Sequence, residues 1–160
     1  MRRLLIMLCT IGLLALGTNA RAAAGWEIPL TVRAGNAVQH LALGERVDAT
    51  DGIDGLYDVP ALPGGSLRAS FDLAGGHFWR DIRPLSSDHQ RWTLSVAVAQ
   101  KSGEEVTVHW GNMQKKGLQA RLTDPLSGRI IDAATRHEYH FRSNGSRTLI
   151  LDITRQGEMP

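Results

Sequence analysis

The stretch Trp92-Thr93-Leu94-Ser95-Val96-Ala97-Val98 decides the fold class. Apolar side chains recur at every second position, which is the period of a β-strand with one face on a core and the other in water. The alternation recurs on both sides of it: Trp26-Glu27-Ile28-Pro29-Leu30-Thr31-Val32, Val38 to Leu43, Leu67-Arg68-Ala69-Ser70-Phe71-Asp72-Leu73 and Val106-Thr107-Val108-His109-Trp110. Then come Leu118-Gln119-Ala120-Arg121-Leu122, Ile130-Ile131, Tyr139-His140-Phe141 and Leu149-Ile150-Leu151-Asp152-Ile153. No window after Ala24 carries a helical apolar stripe of about ten residues. About eight or nine short strands at spacings near ten residues predict an all-β, antiparallel sandwich or barrel.

The inward positions predict the core: Trp26, Ile28, Leu67, Phe71, Trp92, Leu94, Val96, Val106, Val108, Trp110, Leu122, Tyr139, Phe141, Leu149 and Leu151. Turn residues punctuate the strands. Ala34-Gly35-Asn36 separates the first two. Thr123-Asp124-Pro125-Leu126-Ser127-Gly128 predicts a hairpin from Leu118–Leu122 to Arg129–Asp132, with Gly128 free to take positive φ. Asn144-Gly145 within Arg142–Ser146 is a strong hairpin signal. Pro29, which has no N–H to donate, predicts that the first strand lies at an edge.

The amino terminus has the three parts of a secretion signal. Arg2 and Arg3 are followed by an apolar run from Leu4 to Gly17, then by Thr18-Asn19-Ala20-Arg21-Ala22. That run is shorter than the roughly 18 residues a spanning helix requires. Cleavage is expected near residues 22–24, which makes 1–22 the signal and 25–156 one β-domain in the periplasm or outside the cell. Of 18 basic residues three lie in the signal, leaving 15 against 16 acidic groups and a net charge of −1 with His neutral. A chain without basic excess has no electrostatic footprint for nucleic acid. The one cysteine, Cys9, leaves with the signal, so neither a disulfide nor thiol chemistry is expected in the mature chain. About 138 residues suffice for one domain held by its core alone.

Gly44 to Gly65 breaks the strand rhythm. A structureless segment of this length in a compact domain is uncommon and often functional. It holds Asp48, Asp51, Asp54 and Asp58 with Gly52 and Gly55. Carboxylates on a sharply turning chain suit Ca²⁺, although the spacing departs from the EF-hand pattern. The competing reading is a structural loop whose aspartates accept backbone amides in Asx turns. After Gly75-Gly76, His77, Phe78, Trp79, Arg80, Asp81 and Arg83 form a polar-aromatic patch, to which Tyr57 of the loop is added as a candidate ligand or structural residue. Trp with Arg can stack on a sugar or on a partner's aromatic surface. The structural alternative is an Arg–Asp pair tying this strand to the aspartate loop over a packed Trp79. His137 and His140, three apart in a strand, face opposite ways and make a poor zinc pair; His109 should face solvent. No Gly-x-Ser-x-Gly, P-loop or dinucleotide fingerprint occurs, so no enzyme is expected.

Asp48-Ala49-Thr50-Asp51-Gly52-Ile53-Asp54-Gly55-Leu56-Tyr57-Asp58-Val59-Pro60, followed by Trp79-Arg80-Asp81-Ile82-Arg83, resembles a block of secreted bacterial immunoglobulin-like modules. The stretch from Trp92 to Ile153, with Leu122-Thr123-Asp124-Pro125, Gly128, Asp132 and Tyr139-x-Phe141, also resembles them. In large surface or secreted proteins such modules stand near the carboxyl end. The resemblance implies an immunoglobulin- or fibronectin-III-like sandwich in a secretory setting and transfers no catalytic residue. The leading expectation is therefore an exported, non-catalytic accessory or binding protein that acts on an unknown protein partner, with exposed strand edges as one means of pairing. The alternatives are a calcium-dependent ligand- or carbohydrate-binding module built on the Asp48–Asp58 loop and Trp79, and a small exported hydrolase.

Overall fold

The computed structural model describes residues 25–85, 89–99 and 103–155. The expected signal and its cleavage region lie outside the described residues. Eleven strands form among the described residues: β1 (Gly25–Ala34), β2 (Ala37–Arg46), β3 (Val59–Pro60), β4 (Leu67–Leu73), β5 (Gly76–Pro84), β6 (His89–Val98), β7 (Glu105–Trp110), β8 (Leu118–Asp124), β9 (Arg129–Asp132), β10 (Glu138–Arg142) and β11 (Ser146–Arg155). A 3-10 turn at Gln114–Lys116 precedes β8. The count exceeds eight or nine for local reasons. The expected irregular segment contributes the end of β2 and all of β3, and the polar-aromatic patch is itself the strand β5.

The strands make one curled mixed sheet in the order β10-β7-β1-β2-β5-β4-β6-β11-β8-β9, with β3 added on β5. Apart from β2 with β5, which run parallel, the pairings are antiparallel. β5 pairs β4 through Gly76–Phe78 and then β2 through Arg80–Pro84, so this strand joins the two halves of the sheet. Gln39 of β2 helps close the junction by accepting the Ala69 N–H of β4 at 2.7 Å.

Every residue expected in the core is buried. Side chains from both halves meet in one cluster, and Trp26 of β1 packs edge-on against Trp92 of β6 at 5.7 Å between ring centres. Strands that are not sheet neighbours thus touch through the core. The outermost strands β10 and β9 are linked by residues 133–137. The Trp110 indole N–H pins this link by donating to the carbonyls of Ala133 and Arg136, each at 2.8 Å.

Two local expectations are corrected. β1 is not an edge strand, because it pairs β2 along its length and β7 from Leu30 to Ala34. Pro29 is tolerated because the β7 ladder ends at Leu30. Beyond it the Pro29 carbonyl accepts the Gly111 N–H at 3.0 Å, and no donor is needed. Asn144-Gly145 does not close a hairpin either. Arg142 pairs Glu105 of β7 whereas Ser146 pairs Ala97 of β6, so Ser143–Gly145 carries the chain between the two halves. Gly145, at φ 111°, makes that corner, and its carbonyl accepts the Val98 N–H. The Asp124–Gly128 turn does form the expected β8–β9 hairpin, with Gly128 at φ 70°.

Candidate functional site

The aspartate-rich segment is an ordered cap on the sheet. Asp54 and Asp58 serve its own backbone. Asp54 accepts the Leu56 N–H through Oδ1 at 3.0 Å, an Asx turn, and its carbonyl accepts the Tyr57 and Asp58 N–H groups. Asp58, buried, accepts the Asp54 N–H at 2.7 Å and the Ile82 N–H of β5 at 2.9 Å. One carboxylate therefore closes the turn and fastens it to the sheet. Asp48 accepts the Tyr57 hydroxyl, which lowers the Asp48 pKa and raises that of Tyr57. Asp51 is exposed.

Arg80 locks the cap from below. Its Nε and Nη2 bond the two carboxylate oxygens of Glu27 at 2.9 and 2.8 Å, and its Nη1 donates to the Tyr57 carbonyl at 2.9 Å. This fork holds the Glu27 carboxyl below its usual range. Arg46 adds a contact to Glu27 at 3.7 Å and lies over the Tyr57 ring. The tie between β5 and the loop thus exists. Its acid is Glu27, seventeen positions before the break in the strand rhythm, a pairing that local sequence does not disclose. Asp81, fully buried, pairs instead with Arg83 two residues on, at 2.9 and 3.1 Å, and Arg83 stacks over Trp92. Burial raises the Asp81 pKa despite that pairing.

Among the described residues no group of three or more His, Cys, Asp or Glu is placed to hold a metal ion. His109 and His140 are exposed on β7 and β10, and His137 precedes β10. The His140 Nδ1 lies 3.0 Å from the Thr107 hydroxyl.

The same segment exposes apolar side chains. Val47, Ile53, Leu56, Val59 and Leu62 are exposed, Leu56 by 84%. They are five of the eight large apolar residues exposed among the described residues, which concentrates this surface in one segment.

His77 and Trp79 face the neighbouring surface. The His77 Nδ1 lies 2.9 Å from Asp72 Oδ1 and 3.4 Å from the Ser70 hydroxyl, and the Ser95 hydroxyl donates to Asp72 Oδ2 at 2.6 Å. Asp72 and Ser70 approach the same ring nitrogen. In a Ser-His-Asp triad the acid and the nucleophile sit on opposite nitrogens, so this is not triad geometry. Ser70, Asp72 and Ser95 escaped the sequence reading because small polar residues on the wet face of a strand are ordinary. Beside them lies a groove of about 400 Å³, walled by Leu62, Pro63 and Trp79. A wider depression of about 800 Å³ covers the far end of β8 and β11, where Arg91 and Asp152 pair with each other at 2.7 Å.

No protein-family model matches the chain, and no curated protein or solved structure matches it at a significant level. Among the described residues no helix is long and apolar enough to cross a membrane.

Proposed function

We propose that this is an exported, non-catalytic binding protein with an immunoglobulin-like sandwich architecture, and that it engages a protein partner through the cap at residues 47–62. The observation that carries this reading is one segment both fastened to the sheet through Asp58 and Arg80 and rich in exposed large apolar side chains. Burying a large apolar side chain on association is favourable by about 1.5–3 kcal/mol, and a surface ordered beforehand loses little entropy in the process. Exposed apolar residues concentrated on one ordered segment are the usual mark of an interaction site. The sandwich reading rests on the contact of Trp26 with Trp92 across the core and on the passage of β5 from one half of the sheet to the other. Export rests on the amino-terminal pattern. Amino-terminal sequencing of the mature chain should begin near Ala23 or Gly25.

The test is site-specific photocrosslinking in the exporting cell. A photoreactive side chain at position 53 or 56 should yield a discrete adduct with one protein, and the same group at the exposed Asn36, in the turn at the opposite end of β2 from the entry to the cap, should not. Equal yields at all three positions, or none at 53 and 56, would remove the cap from the interface.

A further inference from the structure

A groove lies beside the cap. Two depressions, of about 400 and 360 Å³, share Gln39, Leu62 and Trp79 as a common wall. Volumes of this size fall in the range of small-ligand sites. The floor of the larger is polar, with Ser70, Ser95 and Thr148 on adjacent strands; Arg68, His77 and Arg147 also line it, His77 being paired with Asp72 and Arg147 with Asp124. The wall opposite is apolar. β4, β6 and β11 each have strand neighbours on both sides, so the floor offers no free backbone edge to an added peptide strand. Recognition there must run through side chains. The Trp79 Nε1 is buried and has no hydrogen-bond partner, so the ring is held by shape and its donor is uncommitted.

We propose that this groove binds an oligosaccharide, with Trp79 packing against the apolar face of a pyranose ring and Ser70 and Thr148 meeting its hydroxyls. A pyranose is the ligand class with one apolar face and a rim of hydroxyls, which matches an apolar wall facing a hydroxyl-lined floor. Two depressions on either side of one aromatic residue suit consecutive sugar units. No metal ion takes part, and the site lies apart from the aspartates of the cap. The proposal goes beyond the protein-partner reading and does not depend on it.

Trp79 is half-buried whereas Trp26, Trp92 and Trp110 are buried, so the tryptophan emission accessible to iodide reports on this site. The wild-type domain should be screened against an array of α- and β-linked oligosaccharides, neutral and acidic, and each hit titrated by calorimetry in every variant, with iodide quenching as a second readout wherever Trp79 is present. The expected result is saturable binding that protects Trp79 from iodide, survives chelator, and weakens at least tenfold in Trp79→Ala. Ala97→Gln provides a second variant, which blocks the floor from an outward position without touching the core; it should also weaken binding at least tenfold, with Trp79 still present. No binder on the array would overturn the proposal. So would binding undiminished in both variants, or binding abolished by chelator. Photocrosslinking from the cap is read independently, so either conclusion can fall alone.

Discussion

The carboxylate of Asp124, buried at the end of β8 where the turn begins, accepts the Tyr139 hydroxyl of β10 at 2.6 Å. β8 and β10 lie near opposite ends of the strand order, so this bond spans the seam where the curled sheet comes back on itself. Arg147 of β11 donates to the same oxygen at 2.7 Å, the Ser127 hydroxyl does so at 2.8 Å, and the Leu126 N–H takes the other oxygen at 3.0 Å. A turn residue therefore holds three strands and its own hairpin.

Removing one side of a buried ion pair strands the other charge. Asp124→Ala leaves Arg147, nearly buried, without its acid and should cost about 3–5 kcal/mol in urea unfolding. Tyr139→Phe removes one bond to a charge that keeps its other donors, and should cost about 1.5 kcal/mol, the low end for such bonds. Because the two residues touch, the double variant should cost less than the sum. Strict additivity would show that they do not act across the seam together.

The acid limb of stability follows from the same groups. Burial pushes the Asp124 carboxyl up, but the bonds from Tyr139, Ser127 and Arg147 outweigh it and leave its pKa lowered. Glu27 is lowered by Arg80. Groups of this sign stabilise above the ordinary carboxylate range, near pH 4, and lose that contribution as the pH falls through their folded values. Asp81, raised by burial, has the opposite sign: its ionised form opposes folding as the pH rises through the raised value. The melting temperature should therefore fall below about pH 4. The fall should be shallower in Asp124→Asn, whereas Asp81→Asn should abolish a gain in stability that the wild type shows as the pH falls from the raised Asp81 value toward about pH 4. Identical profiles in all three proteins would rule out these carboxylates as the source.

What the sequence discloses depends on the range of the interaction. Alternation is local, and it placed Trp92, Phe71 and Leu149 inside correctly because each lies on the apolar phase of its own strand. Partner choice is not local. Asn144-Gly145 carries the chemistry of a tight turn, yet its flanking residues pair with Glu105 and Ala97 instead of with each other. Pro29 reads as an edge residue only until β7 is seen to stop at Leu30. In the cap, the Asx turn of Asp54 was legible, whereas the bond from the Ile82 amide to Asp58, across 24 positions, was not. Gln39 and Ser95 line the groove from strands whose neighbours only the fold assigns.

The cap's aspartates make a further prediction. Asp58→Ala leaves the buried amide of Ile82 and that of Asp54 without their acceptor, at about 1–3 kcal/mol for each such group. Arg80→Ala removes the fork to Glu27 and the bond to Tyr57 and should cost about 1–2 kcal/mol, since Glu27 keeps part of its side chain in water. Both should increase amide exchange across residues 54–58. Because Asp54 and Asp58 are engaged with backbone, neither added calcium nor chelator should move the melting temperature of the wild-type domain. A rise with calcium that is lost in Asp51→Asn would show instead that the loop binds the ion.

Leu56 separates stability from recognition. Its side chain is 84% exposed, while its backbone N–H is held by Asp54. Replacing it with Asp leaves that bond in place and removes no core contact, so unfolding free energy should stay within about 0.5 kcal/mol of wild type. The new carboxylate would have to be desolvated in any apolar interface, at a cost of several kcal/mol unless it finds a cation there. Leu56→Asp should therefore retain its urea midpoint and its oligosaccharide binding, yet lose the adduct formed from a photoreactive group at position 53. An adduct of undiminished yield would place the partner's contact elsewhere than on Leu56.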